Sequence, residues 1–199
     1  MKKGQILVIS GPSGVGKGTI IKSLTKHLEQ VCFSVSATTR SRRPSETDGV
    51  DYHFVTRERF DEMIANHELL EYATYVSNSY GTPAAPVDQW VSEGKTVILD
   101  IEVEGALQVK KHRPDALLIF VAAPSFTELR GRLLGRGDTA QEIVERRLAR
   151  AKEEYLLAPN YDYIIINDTV EQATEDILTI LKAQTHRPAS MIQFLKEEL

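Results

Sequence analysis

A single cysteine, Cys32, stands among the 199 residues, so an internal disulfide and a multi-cysteine zinc site are both excluded, and a reducing compartment is expected. No apolar run approaches the ~20 residues that a membrane-spanning helix needs, and Met1-Lys2-Lys3-Gly4 leads only into a short apolar stretch. Neither a signal peptide nor a membrane anchor is therefore expected. Positive charge is also in short supply: 24 Lys and Arg against 28 Asp and Glu leave a net charge of −4, which gives no bulk electrostatic reason to bind nucleic acid or anionic membrane. The five histidines fall at no metal-ligand spacing, no Ser-His-Asp or Cys-His set is indicated, and there is no repeat or low-complexity segment. What remains is the composition of a soluble, cytoplasmic globular protein, 42% hydrophobic and 26% charged, with a length that fits one domain. Its basic groups must act locally.

The chain is organised around Gly11-Pro12-Ser13-Gly14-Val15-Gly16-Lys17-Gly18-Thr19, which follows the apolar run Ile6-Leu7-Val8-Ile9 and opens an amphipathic segment. Strand, tight loop and helix, in that order, make a phosphate-binding loop: glycines let successive amide N–H groups surround an anion at the positive end of a helix, and Lys17 supplies a mobile cation. The pattern G-x-x-x-x-G-K is complete, but Gly18 occupies the place where Ser or Thr usually follows the lysine, and the hydroxyl comes one residue later at Thr19. A nucleoside triphosphate is the expected ligand, with an altered Mg²⁺ contact.

Apolar periodicity then predicts a helix carrying Ile20, Ile21, Leu24 and Leu28, a short strand over 31–35, and a polar loop over 40–51. A strand over 52–55, a helix over 57–67 with Phe60, Met63 and Ile64, a strand over 69–76, a turn at 78–81 and a helix over 83–93 follow. Without βαβ alternation, these pieces read as an inserted α+β lobe. Alternation resumes with strand 96–101 ending in Asp100, helix 105–112, strand 117–121, a helix capped by Ser125, a mobile loop at 135–138, and a long helix from Thr139 with Ile143, Leu148 and Tyr155. Strand 163–167 and helix 170–184 close the pattern; His53 and His112 read as packing or surface residues. The fold class is α/β, a parallel sheet with helices on both faces and ligands at the carboxyl ends of its strands. The glycine loop, 36–40, Asp100 and Asn167 all fall at such ends, and are expected to face one crevice.

Arg40 and Arg43, beside Tyr52, suit a second phosphate, because guanidinium forks pair bidentately with its oxygens. Ser36-Ala37-Thr38-Thr39-Arg40-Ser41-Arg42-Arg43-Pro44, then Glu46, Gly49 and Asp51-Tyr52-His53-Phe54, resembles the nucleotide-binding signature of guanylate kinases. Gly11-Pro12-Ser13-Gly14, Tyr80-Gly81-Thr82, Ile98-Leu99-Asp100-Ile101, Arg136-Gly137 and Ile166-Asn167-Asp168 match the same family in order, so the resemblance runs from about Gln5 to Gln184.

That resemblance implies a P-loop NTPase three-layer α/β/α core (1–35, 94–128 and 160–185), a GMP-binding lobe (36–93), a lid (129–159) and a tail (186–199). It implies that residues 11–19 and Asn167 bind ATP, and that Arg40, Arg43, Tyr52 and Tyr80 hold the GMP phosphate. Ser36, Glu71 and Thr82 would read guanine. Chemistry supports Glu71, since guanine offers two adjacent N–H donors that one carboxylate accepts and adenine lacks. Asp100 would serve the acceptor nucleotide or, with Thr19, Mg²⁺ and its waters. Lys17, Arg43 and the lid arginines Arg132, Arg136 and Arg147 would neutralise the phosphoryl group in flight. The expected reaction is MgATP plus GMP to ADP plus GDP, in line and with lobe closure, within purine nucleotide metabolism. Two alternatives stay open: a kinase for another nucleoside monophosphate, since Lys17-Gly18-Thr19 also resembles adenylate kinases, and a silent protein-binding module of the same fold.

Overall fold

The structure, a computed structural model, describes residues 4–75, 77–135, 141–188, 191–192 and 196. Strand β1 (Gln5–Ser10) is apolar from Ile6 to Ile9 and buried from Ile6 onward. A strand that buries both faces needs neighbours on both edges and helices above and below, and a parallel ladder meets that demand. Strand β2 (Val31–Phe33) and β1 both pair in parallel with β7 (Thr96–Asp100), Ile6 standing opposite Val97 and Ile9 opposite Asp100. With β8 (Leu117–Ala122) and β9 (Tyr163–Ile166) the sheet order is β2-β7-β1-β8-β9.

A second sheet has the order β4-β3-β6-β5, built from β3 (Ala37–Thr38), β4 (His53–Phe54), β5 (Leu69–Tyr75) and β6 (Asn78–Pro83). Here one expectation fails, because residues 78–81 are not a turn but the first half of β6. Asn78 pairs with Tyr75, so the reversal falls before Asn78, and the ladder with β5 overrides the turn preference of Asn-Ser-Tyr-Gly.

Among the described residues there are seven α-helices: α1 (Lys17–Leu24), α2 (Arg57–Ala65), α3 (Ala84–Ser92), α4 (Val103–His112), α5 (Phe126–Leu134), α6 (Gln141–Leu157) and α7 (Val170–Gln184). Thr56, Ser125 and Thr169 each accept an N–H from the third residue of the helix they open, satisfying a donor the helix cannot. Helix α1 stops short of Leu28 because the chain tightens into i→i+3 bonds, Lys26 N to Ser23 O at 3.1 Å and His27 N to Leu24 O at 3.0 Å. On α6 the buried stripe is Val144, Leu148, Ala151 and Glu154, so Ile143 and Tyr155 lie on its flank. The expected start at Thr139 and the loop residues 136–138 lie outside the described residues, as does most of the tail.

The chain divides into two compact units. The first comprises Met1–Ser10, Gln30–Ile119 and Pro159–Asp162. In it α3 and α4 pack on β1, α3 also on β7, and α4 on β5. A satellite core of Ala37, Phe60, Met63 and Leu69, flanked by Val55 and Ile64, holds the second sheet to α2. The Phe60 ring is fully buried, and truncating such a ring typically costs about 3–5 kcal/mol. The second unit comprises Gly11–Glu29, Phe120–Ala158 and Tyr163–Leu199, with α1 on α7, α5 on α6 and α7 on β9.

Candidate active site

The glycine loop runs from the end of β1 into α1 and lies wholly in the second unit. Gly11, Gly14 and Gly16 have φ of 135°, 91° and 95°, values that side chains strain to adopt. Space is equally restrictive: a Cβ on Gly11 would stand 2.2 Å from the Val121 carbonyl oxygen, and one on Gly16 2.4 Å from Asn167 Nδ2. A Cβ on Gly18, by contrast, would meet nothing within 4 Å. Lys17 Nζ donates to the carbonyl of Gly11 at 2.5 Å and of Pro12 at 3.4 Å, so the loop's own backbone parks the ammonium over the cradle. The Val15 carbonyl is held from the other side by Asn167 Nδ2 at 2.7 Å and by an Arg132 guanidinium nitrogen at 3.5 Å. Asn167 is 3% exposed, and its Oδ1 has no partner among the described residues.

In the first unit, Arg40 is clamped. Its guanidinium meets Glu46 in a two-pronged pair, 2.7 Å and 3.0 Å, and stands 5.4 Å from the Tyr52 ring centroid and 5.7 Å from that of Phe54. The rings of Tyr52 and Tyr80 meet edge to face at 5.9 Å. Hydrogen bonding from Arg40, then from the Arg43 N–H at 2.8 Å, lowers the Glu46 carboxyl to about 2. A depressed acid contributes its full stabilisation above its ordinary value of 4.5 and loses it progressively as pH falls from there through the folded value. The Arg43 guanidinium is exposed, with no hydrogen bond among the described residues.

Glu71 sits on β5 directly opposite Thr82 of β6, on one face of the antiparallel pair. The Thr82 hydroxyl donates to Glu71 Oε1 at 2.6 Å. The carboxyl is only 6% exposed, and burial raises its pKa above the ordinary value, the Thr82 hydrogen bonds working in the opposite sense. The side chain therefore faces inward and not into solvent. A buried carboxylate with one oxygen engaged by Thr82 and no ion pair among the described residues is arranged to accept donors from a ligand.

The family model described as guanylate kinase matches residues 3–184. The chain belongs to the guanylate kinase family. Relatives named guanylate kinase include that of Lactococcus lactis, 49% identical over 192 residues, covering 96% of this chain and 94% of that protein. The Bacillus cereus guanylate kinase is 47% identical over 197 residues, 98% and 96% of the two chains. The crystal structure of guanylate kinase from Anaplasma phagocytophilum superposes with a TM-score of 0.76 at 32% identity, covering 98% of this chain and 95% of that one. The fold is accordingly the P-loop NTPase α/β fold.

Within this member of the guanylate kinase family, the second unit gathers residues 11–19, Asn167, Arg132 and Arg147. Arg132 is tethered to Glu128 at 3.0 Å as well as to the loop; Arg147 is half-buried on α6; Arg136 lies outside the described residues. The first unit gathers Ser36, Arg40, Arg43, Tyr52, Glu71, Tyr80, Thr82 and Asp100. Ser36 precedes β3 and accepts the His53 N–H at 2.9 Å through its carbonyl, while Asp100 and Thr19 are exposed at a strand end and in the first turn of α1. Sequence reasoning gave no role to Glu46, although its place in the signature was the available signal. Glu46→Ala is expected to release Arg40 and raise the KM for GMP about 10-fold with little change in kcat, as steady-state kinetics would show.

Proposed function

We propose that this chain transfers the γ-phosphoryl group of ATP to GMP, giving ADP and GDP, by direct in-line transfer with lobe closure, in cytoplasmic purine nucleotide metabolism. The observation that carries the reading is Glu71, whose buried carboxylate is preset by Thr82 to take the two donors on the pairing edge of guanine. Loop amides 11–19 and Lys17 hold the donor phosphates. Arg40, Arg43, Tyr52 and Tyr80 hold the acceptor phosphate, and Arg132, Arg136 and Arg147 spread positive charge over the group in transit. Such catalysis is alignment plus electrostatics, with no covalent nucleophile required.

A Mg²⁺ ion travelling with ATP fits the residues present. There is no cluster of three His, Cys, Asp or Glu among the described residues; Thr19 in the second unit and Asp100 in the first are each exposed oxygen donors of the kind that suits a hard cation keeping most of its water. When bound, the ion supplies charge neutralisation on the phosphates.

The deciding experiment compares GMP, AMP, UMP and dTMP as acceptors in a coupled assay for ADP, and a preference for AMP would overturn the reading. Absence of acceptor-dependent ADP formation would favour the protein-binding alternative. A pH dependence follows too. Only the ionised Glu71 accepts both guanine donors, and burial holds its pKa above 4.5. GMP binding is therefore expected to weaken as pH falls through that raised value, giving an acid limb above pH 4.5 in 1/KM that the Glu71→Gln variant lacks.

A further inference from the structure

Gly105 is the third residue of α4 and is buried, and it does not have the positive φ that would call for glycine. Glycine is among the poorest helix formers, so local structure gives no reason for it there. Space does. A Cβ on Gly105 would stand 2.6 Å from Glu71 Oε2, closer than Cβ atoms come to any neighbour, and 3.1 Å from its Cδ. The first turn of α4 closes directly on the carboxylate through the gap left by the missing side chain, setting the positive end of a helix against a buried anion. Glu71 is pinned from two sides, by the Thr82 hydroxyl on Oε1 and by the bare backbone of α4 beside Oε2.

We propose that Gly105 is a positioning residue for guanine selection: the space it leaves empty fixes where the Glu71 carboxylate stands. The inference rests on the reading of Glu71 as the guanine acceptor. A methyl group at 105 must push something aside, and the group in its way is the far end of that side chain. Since β5 holds the Glu71 backbone in the ladder with β6, the displacement falls on the carboxylate and breaks its alignment with both the Thr82 hydroxyl and the two base donors.

The test is a four-protein cycle of wild type, Gly105→Ala, Glu71→Ala and the double variant, assayed with GMP and with IMP, whose base lacks the 2-amino donor. Gly105→Ala is expected to lower kcat/KM for GMP about 10- to 100-fold, chiefly through KM, with a smaller loss for IMP, so the GMP:IMP preference shrinks. In the Glu71→Ala background the added methyl enters vacated space and is expected to change either value less than about 2-fold. Thermal melting of the same four proteins gives a second reading: any loss of Tm in Gly105→Ala should be recovered in the double variant, which keeps the test usable if the single variant folds poorly. An unchanged GMP:IMP preference in Gly105→Ala, or equal losses in both backgrounds, overturns the proposal alone. An unchanged preference in Glu71→Ala overturns the guanine reading itself and this proposal with it, while the melting cycle would still register the contact.

Discussion

Replacing Lys17 by methionine is expected to lower kcat for GDP formation by about 10²- to 10³-fold or more while leaving the fold intact. Methionine keeps the length and apolar stem of the side chain and removes only the ammonium, which in the structure reaches back to the carbonyls of Gly11 and Pro12. Neither of those carbonyls relies on Lys17 for the loop's shape, because Val121 fills the space beside Gly11 and Asn167 and Arg132 hold Val15. On the proposed role, the variant loses a preorganised cation where negative charge spreads in transfer, a loss of the size seen when single electrostatic donors are removed from enzyme sites. Turnover near that of wild type, with an unchanged melting curve, would remove Lys17 from the catalytic set.

Glu71→Gln is expected to lower kcat/KM for GMP by about 10²- to 10³-fold without lowering Tm. The amide still accepts the Thr82 hydroxyl through its oxygen, but its NH₂ then faces two N–H donors of the base, leaving buried donors unpaired. The effect on stability has the opposite sign. Because burial raises the Glu71 pKa, the unfolded chain releases this proton first as pH rises above 4.5, and ionisation opposes folding from there up to the raised value and by a constant amount beyond it. A neutral glutamine is free of that cost at pH 7. Melting curves and GMP kinetics on one preparation check both halves, and a variant that retains full GMP selectivity would sink the role assigned to Glu71.

The parallel sheet was legible because its strands are short apolar runs whose burial on both faces needs no knowledge of partners, as in Ile6-Leu7-Val8-Ile9 and Leu117-Leu118-Ile119-Phe120-Val121. Helix α7 and the Ser125 cap were equally plain, since periodicity and capping are local. Strand β6 was not, because Asn78-Ser79-Tyr80-Gly81 satisfies turn chemistry and only pairing with β5 and β3 makes it a strand. In the candidate site, the residue types of the glycine loop and of the arginine cluster stand in the sequence. The burial of Glu71 and the closeness of Gly105 are products of register and packing between segments far apart in the chain, while the Arg40–Glu46 clamp, local in sequence, depends on how the loop between the two residues folds.

The Val15 carbonyl, held by Asn167 and Arg132, also has a bearing on how the protein is made. A ribosome synthesises the loop well before the two side chains that hold its Val15 carbonyl, Arg132 and Asn167. A nascent chain that has passed residue 30 carries the loop without either of these two contacts. The two side-chain tethers on Val15 are thus among the last contacts the loop acquires during synthesis.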